Sequence, residues 1–517
     1  MKWIVLGERD GKIRLTSKIS ERNAILPKGS YLTAENDGNK FILRVDDSKQ
    51  IEPYSPSPLI ADMNLSGVFA DRQCKNEIIA YRVKDEIERD DGMIDFIPPL
   101  TEAKRSTQEE VDLALDMNER GPKVFMATVQ SNQNRILRDE SGKHITAKLP
   151  EDMFFHQMLI CGKTGSGKTV AMKYLAQYFA EVMEGAVLAI NVKDVDFLMM
   201  DKPSNVTNDK IESEWETLGE SPHGVSNLTM YMPANRDFNN VKGINKELCK
   251  KVTLSVDEID PEALTGLLQG ISDKGAMNLP GIFRFWRTHK RKKGENFSGF
   301  VRYFNDMEEN KEFNTLNDRG DENRIKLHSS TYENIRRSID TASEFFDNGG
   351  SISLGYENIL ERGKMSILDF SGDKGPKFGS ILLRDLLKKI VNAKDSLQSN
   401  VPILIIIDEV HQFYGTDSSK EALSDLDTIC RTGRSKKIGI IFASQSLADI
   451  PSGLSSVINT QISFKTDVGT LKNIGVRATQ DEMEGLETGF AFASIHGLPQ
   501  LKILKFPLSL AGVMKNE

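Results

Sequence analysis

Cysteine, long apolar runs, an export signal and excess positive charge are all missing or scarce in this sequence. The 517 residues hold four cysteines, Cys74, Cys161, Cys249 and Cys430, far apart and with no CxxC pair. That spacing excludes a disulfide scaffold and a zinc ribbon and fits a reducing, cytoplasmic compartment. No run approaches the roughly 18 apolar residues that a bilayer-spanning helix needs. The opening segment MKWIVLGERDGKIRL has no apolar stretch ending in small residues, so it reads as strand and turn and not as a secretory signal. Lys and Arg total 67 against 75 Asp and Glu, a net charge of -8. A nucleic-acid surface, if there is one, is therefore local, for example lining a pore. Internal repeats and low-complexity tracts are absent, and the length implies two or three domains.

What is present is organised around residues 158–180, MLICGKTGSGKTVAMKYLAQYFA. An apolar run ends in Gly162-Lys163-Thr164-Gly165-Ser166-Gly167-Lys168-Thr169, and Val170 opens a helix-period segment. This is GxxxxGK[ST] in full, the strand, loop and helix of a phosphate-binding P-loop. Glycines let the backbone wrap a phosphate chain with its N–H groups inward, and the helix presents its N-terminus to the same anion. Lys168 is expected on the β and γ phosphates of ATP, and Thr169 on Mg²⁺.

Residues 1–105 read as an all-β domain. WIVLGER, KIRLTSK, YLTAEN, KFILRVDD, SPLIADM and NEIIAYRVKD are short strand-like runs, and Asn36-Asp37-Gly38-Asn39 is a hairpin turn. Phe41, Leu43 and Val45 alternate, as do Ile79, Tyr81 and Val83. A small barrel or sandwich is expected. Residues 106–150 are a connector with two leading strands. Five apolar runs then stand out: MLIC, AVLAIN (186–191), MSILDF (365–370), PILIIID (402–408) and IGIIFASQ (438–445). Such runs suit parallel strands covered on both faces. Each ends in a polar or glycine-rich group, and ligands of parallel sheets sit beyond those ends. An α/β core over 151–204 and 346–517, interrupted by a helical insertion at 205–345, follows from this pattern.

Ile405-Ile406-Ile407-Asp408-Glu409 is an apolar strand ending in an acidic pair. Asp408 is expected to hold Mg²⁺ and Glu409 to polarise the attacking water, which points to hydrolysis and not to mere binding. Gln445, after the next strand, is placed to sense the γ-phosphate. Between them lies Arg431-Thr432-Gly433-Arg434-Ser435-Lys436-Lys437. Arg434, with Arg431 second, is the candidate for an arginine contributed by a neighbouring subunit in a head-to-tail ring.

CGKTGSGKT, GKMSILDFSG (363–372), IIIDEVHQF (405–413) and RTGRSKKIGIIFASQS (431–446) together resemble the HerA family, in the HerA–FtsK group of RecA-like hexameric ATPases. The resemblance implies a RecA-like P-loop core, a HAS-barrel-like N-terminal domain and a ring that moves on double-stranded DNA. It also implies Lys168, Glu409, Gln445 and Arg434 as catalytic residues, with ATP and Mg²⁺. A partner nuclease of the NurA type, or a sirtuin-like or nuclease effector in anti-phage defence, would dock on the barrel. Two departures stand out. Members often have Asp where this chain has Asn191, followed by Val192-Lys193-Asp194, and a basic residue where it has His156-Gln157. Both stretches are expected in solvated loops.

FRFWRTHKRKK (283–293) is the densest basic cluster. On a helix, Arg284, Arg287 and Arg291 share one face and suit a phosphate backbone, but a helix with an aromatic core face and a solvated basic face fits the same spacing. A scaffold ring held together by ATP is the alternative to a translocase. A conjugative or secretion motor of the same wider group usually carries membrane helices. An ABC-type ATPase lacks support without an LSGGQ-like signature, and no acidic cluster outside the ATPase site suggests a nuclease.

Overall fold

The computed structural model describes residues 3–17, 25–51, 75–86, 93–130, 133–193, 197–206, 208–236, 243–268, 274–372, 375–414, 424–450, 454–467, 469 and 478–515. The run SPLIADM, Cys74 and Asp194 lie outside them. The chain divides into two compact units, residues 1–151 with 462–507, and residues 152–461 with 508–517.

The first unit begins with a closed six-stranded barrel of β1 (Trp3–Arg9), β2 (Lys12–Ser17), β3 (Tyr31–Asn36), β4 (Asn39–Ile51), β5 (Lys75–Glu86) and β6 (Glu102–Arg105), in the order β1-β2-β5-β4-β3-β6. Closure leaves no sheet edge unpaired. The β3–β4 hairpin turns through Asp37 and Gly38, both at positive φ, as its Asn-Asp-Gly-Asn sequence implies. Trp3, Val5, Ile13, Leu15, Phe41, Leu43 and Val45 fill the interior. On β5 the inward residues are Ile78 and Ala80, not the Ile79, Tyr81 and Val83 set that alternation suggested. β5 is apolar on both faces there, so alternation could not choose between them; pairing with the irregular β4 did. The sixth strand, β6, comes from a stretch whose polarity hid it. Helix α1 (Gln108–Ala114) follows behind a Thr107/Glu110 capping box. Next come β7 (Lys123–Gln130), β8 (Gln133–Ile136) and β9 (Thr146–Lys148), with β8 and β9 antiparallel to β7.

The second unit is built on a parallel sheet. Its strands are β10 (Met158–Cys161), β11 (Ala186–Asn191), β12 (Leu228–Pro233), β13 (Cys249–Val252), β16 (Met365–Asp369), β17 (Ile403–Asp408) and β18 (Ile438–Ser444), in the order β13-β12-β16-β11-β17-β18-β10; β14 (Glu312–Leu316) and β15 (Glu322–Lys326) form a separate hairpin. The five apolar runs are five neighbouring strands, and every residue of β10, β11, β16, β17 and β18 is buried. Strands β12 and β13 extend the sheet from a stretch whose pattern read as helical. Helix α2 (Lys168–Glu181) follows the P-loop, α3 (Asp209–Leu218) precedes β12, and α7 (Gly375–Asp395) and α8 (Ser424–Lys436) link β16, β17 and β18. Between β13 and β16 lie α4 (Leu279–Phe285), α5 (Phe297–Asn305) and α6 (Ser329–Ala342). They pack around an aromatic cluster in which Phe283 meets Phe300 edge-on at 5.1 Å and Phe297 stacks on Phe346 at 3.9 Å. After β19 (Thr460–Ser463), helix α9 (Gln480–Glu484) and strands β20 (Phe490–Ser494) and β21 (Ile503–Lys505) complete the first unit, with β21 antiparallel to both β20 and β7.

β18 approaches the segment before the P-loop strand closely at Gly439. A Cβ there would lie 1.9 Å from the Phe154 carbonyl oxygen. Gly439→Ala must therefore move backbone and should destabilise the protein by about 2 kcal/mol. Urea unfolding measures this, and an unchanged midpoint would show that the approach is not as close as described.

Candidate functional site

The register of three strands assembles the site. Cys161 at the end of β10 lies beside Ser444 at the end of β18, and Ala443 lies beside Asp408 at the end of β17. The loop 162–167, Gln445 and the Asp408-Glu409 pair therefore emerge side by side at the carboxyl edge.

In the loop, Gly165 and Gly167 have φ of 79° and 107°, a conformation that disfavours a side chain. The loop is tied at its root by Gly162 N–H donating to the Ser444 carbonyl at 3.1 Å. Gly167 caps α2 with no side-chain oxygen, leaving the first N–H groups of the helix for an anion. Lys168 is buried, with its ammonium on the Gly162 carbonyl. Burial pulls it below the ordinary lysine range, and Asp408 opposes the shift. The Ser166 hydroxyl is buried without a hydrogen-bond partner. A phosphate chain in the loop would supply one. Burial pushes the Cys161 thiol up to about 12, so it is no nucleophile.

Asp408 is 3% exposed and Glu409 2% exposed. Glu409 has φ 49° and ψ 55°, the left-handed region that a non-glycine residue enters only under constraint. Its Oε1 accepts from Lys193 Nζ at 2.8 Å and from Gln445 Nε2 at 3.3 Å. Its Oε2 makes no hydrogen bond and faces His411 Nδ1 at 3.8 Å. Burial alone would push this carboxyl up, but the bond and charge of Lys193, with Gln445, hold it below the usual carboxylate range. Glu409 is thus an anion held between two neighbouring strand ends.

Two residues that sequence reasoning put in solvated loops are buried. Asn191 is 1% exposed; its Nδ2 donates to Asp369 Oδ1 at 2.9 Å and to the Lys193 carbonyl at 2.8 Å, and its Oδ1 accepts from Phe197 N–H at 3.1 Å. Asp369 also accepts from Ser371 and faces Arg236. Burial pushes Asp369 up, against the bond from Asn191 and the charge of Arg236. Gln157 is 2% exposed, and its Oε1 accepts the Ile440 N–H at 3.1 Å while its Nε2 makes long 3.5 Å contacts with the Ile429 and Cys430 carbonyls. It thus joins the start of the P-loop strand to α8 and β18. Polarity beside an apolar run suggested solvent in both cases; bonding across the sheet needs partners far away in sequence. Lys193 was read only as part of a solvated loop departing from the family pattern, and Arg236 carried no motif and was not singled out.

Arg431 and Arg434 lie on the last turns of α8. Arg434 is 70% exposed and 4.0 Å from Asp152, whereas Arg431 Nε is paired with Asp427 at 2.8 Å. The basic cluster at 283–293 is differently disposed from a phosphate-binding face. Arg284 bonds the Leu316 carbonyl, Glu262 and Asp318; Arg287 bonds the Val256 and Ile259 carbonyls; Arg291 bonds Asp257 and the Glu295 carbonyl. Phe283 and Trp286 are buried beneath them. These three guanidiniums hold the insertion together.

Gln157→Leu strands the buried Ile440 N–H and should cost about 1–3 kcal/mol. Gln157→Glu keeps the acceptor but buries a carboxyl against the Ile429 and Cys430 carbonyls, so at neutral pH it should cost at least as much. Urea unfolding of the two variants checks this order, and equal stability of the Gln157→Leu and wild-type proteins would contradict it.

Comparison with known proteins agrees with this geometry. Residues 137–393 match the family model described as Helicase HerA, central domain. That segment holds the P-loop, β11, the insertion, β16 and most of α7. No curated protein matches. Among solved structures, the plasmid coupling protein TrwB in complex with the non-hydrolysable GTP analogue GDPNP is 12% identical, with 80% of this chain and 95% of that chain covered and a TM-score of 0.49. VirB4 of Thermoanaerobacter pseudethanolicus is 10% identical over 76% and 97%, with a TM-score of 0.43. The genome packaging NTPase B204 from Sulfolobus turreted icosahedral virus 2, in complex with ATP-gammaS, is 9% identical over 68% and 98%, with a TM-score of 0.27. The family model and the convergence of loop, acidic pair and glutamine on one sheet edge carry the assignment, which is that residues 137–393 are a HerA-type central domain, in a chain with a RecA-like P-loop core and an N-terminal barrel.

Proposed function

We propose that the site hydrolyses ATP and that hydrolysis drives double-stranded DNA through a ring of copies, most simply a hexamer. The observation that carries this reading is Glu409, an anion in strained backbone, buried beside a complete P-loop and bonded to the glutamine of the intervening strand. A structural carboxylate has no need of that strain.

In this reading the N–H groups of Gly162, Lys163, Thr164, Gly165, Ser166, Gly167 and Val170 belong to the loop and helix start that cradle the phosphates. Lys168 leaves the Gly162 carbonyl for the β and γ phosphates. Thr169 and Asp408 offer a hydroxyl and a carboxylate, hard oxygen donors that suit Mg²⁺. When bound, the ion neutralises charge on the β and γ phosphates. Glu409 and Gln445 orient a water in line with the terminal phosphorus. The water oxygen bonds to that phosphorus, the bridging P–O bond breaks with its electron pair going to the β-phosphate, and the water's proton passes to Glu409. Arg434, exposed on α8, reaches the γ-phosphate of a neighbouring copy, with Arg431 the less favoured because Asp427 holds it. The barrel is the docking surface for a partner nuclease or defence effector, in DNA end processing or anti-phage defence. Among the described residues no helix is long and apolar enough to cross a membrane.

Glu409→Gln should lower the ATP turnover number by about 10²–10⁴-fold while retaining ATP binding, and double-stranded DNA should stimulate the wild-type ATPase. Arg434→Ala alone should be nearly inactive. Mixed with Glu409→Gln subunits it should regain part of the activity, because some seams then combine an intact cradle with an intact arginine. Absence of DNA stimulation would refute the translocase reading. Co-assembly without any recovery would refute the arginine in trans.

A further inference from the structure

Lys193 has no place in the mechanism above, yet it makes the shortest polar contact to its central carboxylate. The residue lies two positions beyond the end of β11, the strand next to β17. Its backbone is held in place: the Lys193 carbonyl accepts from Asn191 Nδ2, which is itself anchored on the buried Asp369. From that fixed point the side chain crosses to Glu409 Oε1 at 2.8 Å. The two partners differ sharply in freedom. Glu409 is 2% exposed, whereas the Lys193 side chain is 42% exposed. If the pair separates, the lysine is the one that moves.

The same ammonium is close enough to Lys168 for the two positive charges to act on each other. Lys193 is therefore bonded to the buried carboxylate and within electrostatic reach of the P-loop lysine. With no phosphate in the loop, Lys193 pairs with Glu409. A bound nucleoside triphosphate places several negative charges beside it, and a doubly charged phosphoryl oxygen set attracts an ammonium more strongly than one carboxylate does. A nucleoside diphosphate lacks the terminal group and leaves the pair at Glu409 intact.

Resting on the hydrolytic reading of the site, we propose that Lys193 is a second phosphate-binding cation, which exchanges Glu409 for the terminal phosphoryl group when a triphosphate binds. The exchange does two things at once. It adds a contact that only a triphosphate can make, and it vacates the Glu409 oxygen that the attacking water needs. Gln445 stays on Glu409 throughout and keeps the carboxylate oriented. Glu409 is thus freed for water only when there is a terminal phosphate to attack.

The test measures AMP-PNP and ADP affinity by calorimetry on the full-length protein with Mg²⁺. Lys193→Ala should weaken AMP-PNP binding about tenfold and ADP binding less than about twofold, the loss expected for one charge-assisted contact. Lys193→Arg should restore most of the preference. Glu409→Gln removes the competing anion, so it should bind AMP-PNP several-fold more tightly than wild type, and that gain should vanish in the Lys193→Ala/Glu409→Gln double variant. Equal losses for the two nucleotides, or a gain in Glu409→Gln that persists without Lys193, would overturn the proposal. If Lys193→Ala fails to fold, Lys193→Met retains the apolar stem and is held to the same two criteria. Lys168→Ala separates the levels. Normal nucleotide binding in that variant would overturn the hydrolytic reading and this proposal with it. Loss of binding there, with wild-type behaviour of the Lys193 variants, would overturn the Lys193 proposal alone.

Discussion

The ladder β17–β18–β10 is the constraint on which the site depends. Parallel strands place consecutive carboxyl ends side by side only in one register, and a slip of one residue would turn each side chain to the opposite face. Here Asp408 falls beside Ala443 and Ser444 beside Cys161. The P-loop lies more than 200 positions before the acidic pair and the glutamine 36 positions after it, and this register brings them together. Burial on both faces defends it. A strand such as β17, Ile and Leu up to Asp408 with no solvent side, cannot shift without exposing apolar surface, at roughly 25 cal/mol per Å².

On this rigid edge the protein keeps one strained point. Glu409 sits in left-handed backbone immediately after a fully buried strand, and Val410 to Tyr414 follow in a tight turn in which Val410, Phe413 and Tyr414 are buried. Arg384 on α7 braces that turn, stacking on Tyr414 at 4.1 Å and bonding the Phe413 carbonyl at 3.3 Å. Packing of this kind can hold a conformation that costs of order 1–3 kcal/mol. Lys193 and Gln445 then fix the charge and aim of the carboxylate. The parts that could move, Lys193 and Arg434, are the exposed ones.

The insertion illustrates the opposite use of charge. Three arginines on one face of an assumed helix suited either a phosphate backbone or solvent. They are spent on carbonyl oxygens and acids of the same subdomain, while the aromatic residues between them form its core. The π-helical turn Trp286–Lys290 lies in the middle of that run, so ideal helical spacing did not apply beyond it. Spacing on an assumed helix could show that the arginines share a face. It could not show what that face meets.

The same division holds for the protein as a whole. The P-loop, the five apolar strands, the acidic pair and the N-terminal β domain were legible because each is a local pattern, set by glycine placement, by unbroken apolarity or by a two-residue turn. Strands β6 and β13 escaped because they are short and mixed in polarity, and β12, though largely apolar, because it lies inside a stretch whose pattern read as helical. The sequence by itself determined the P-loop, since its pattern lies within eight consecutive residues. The tertiary structure decided what holds those groups: the Lys193–Glu409 pair spans 216 positions and the Gln157–Ile440 bond 283. No spacing rule reaches so far, because such partners are chosen by strand order and burial, which exist only once the sheet has formed.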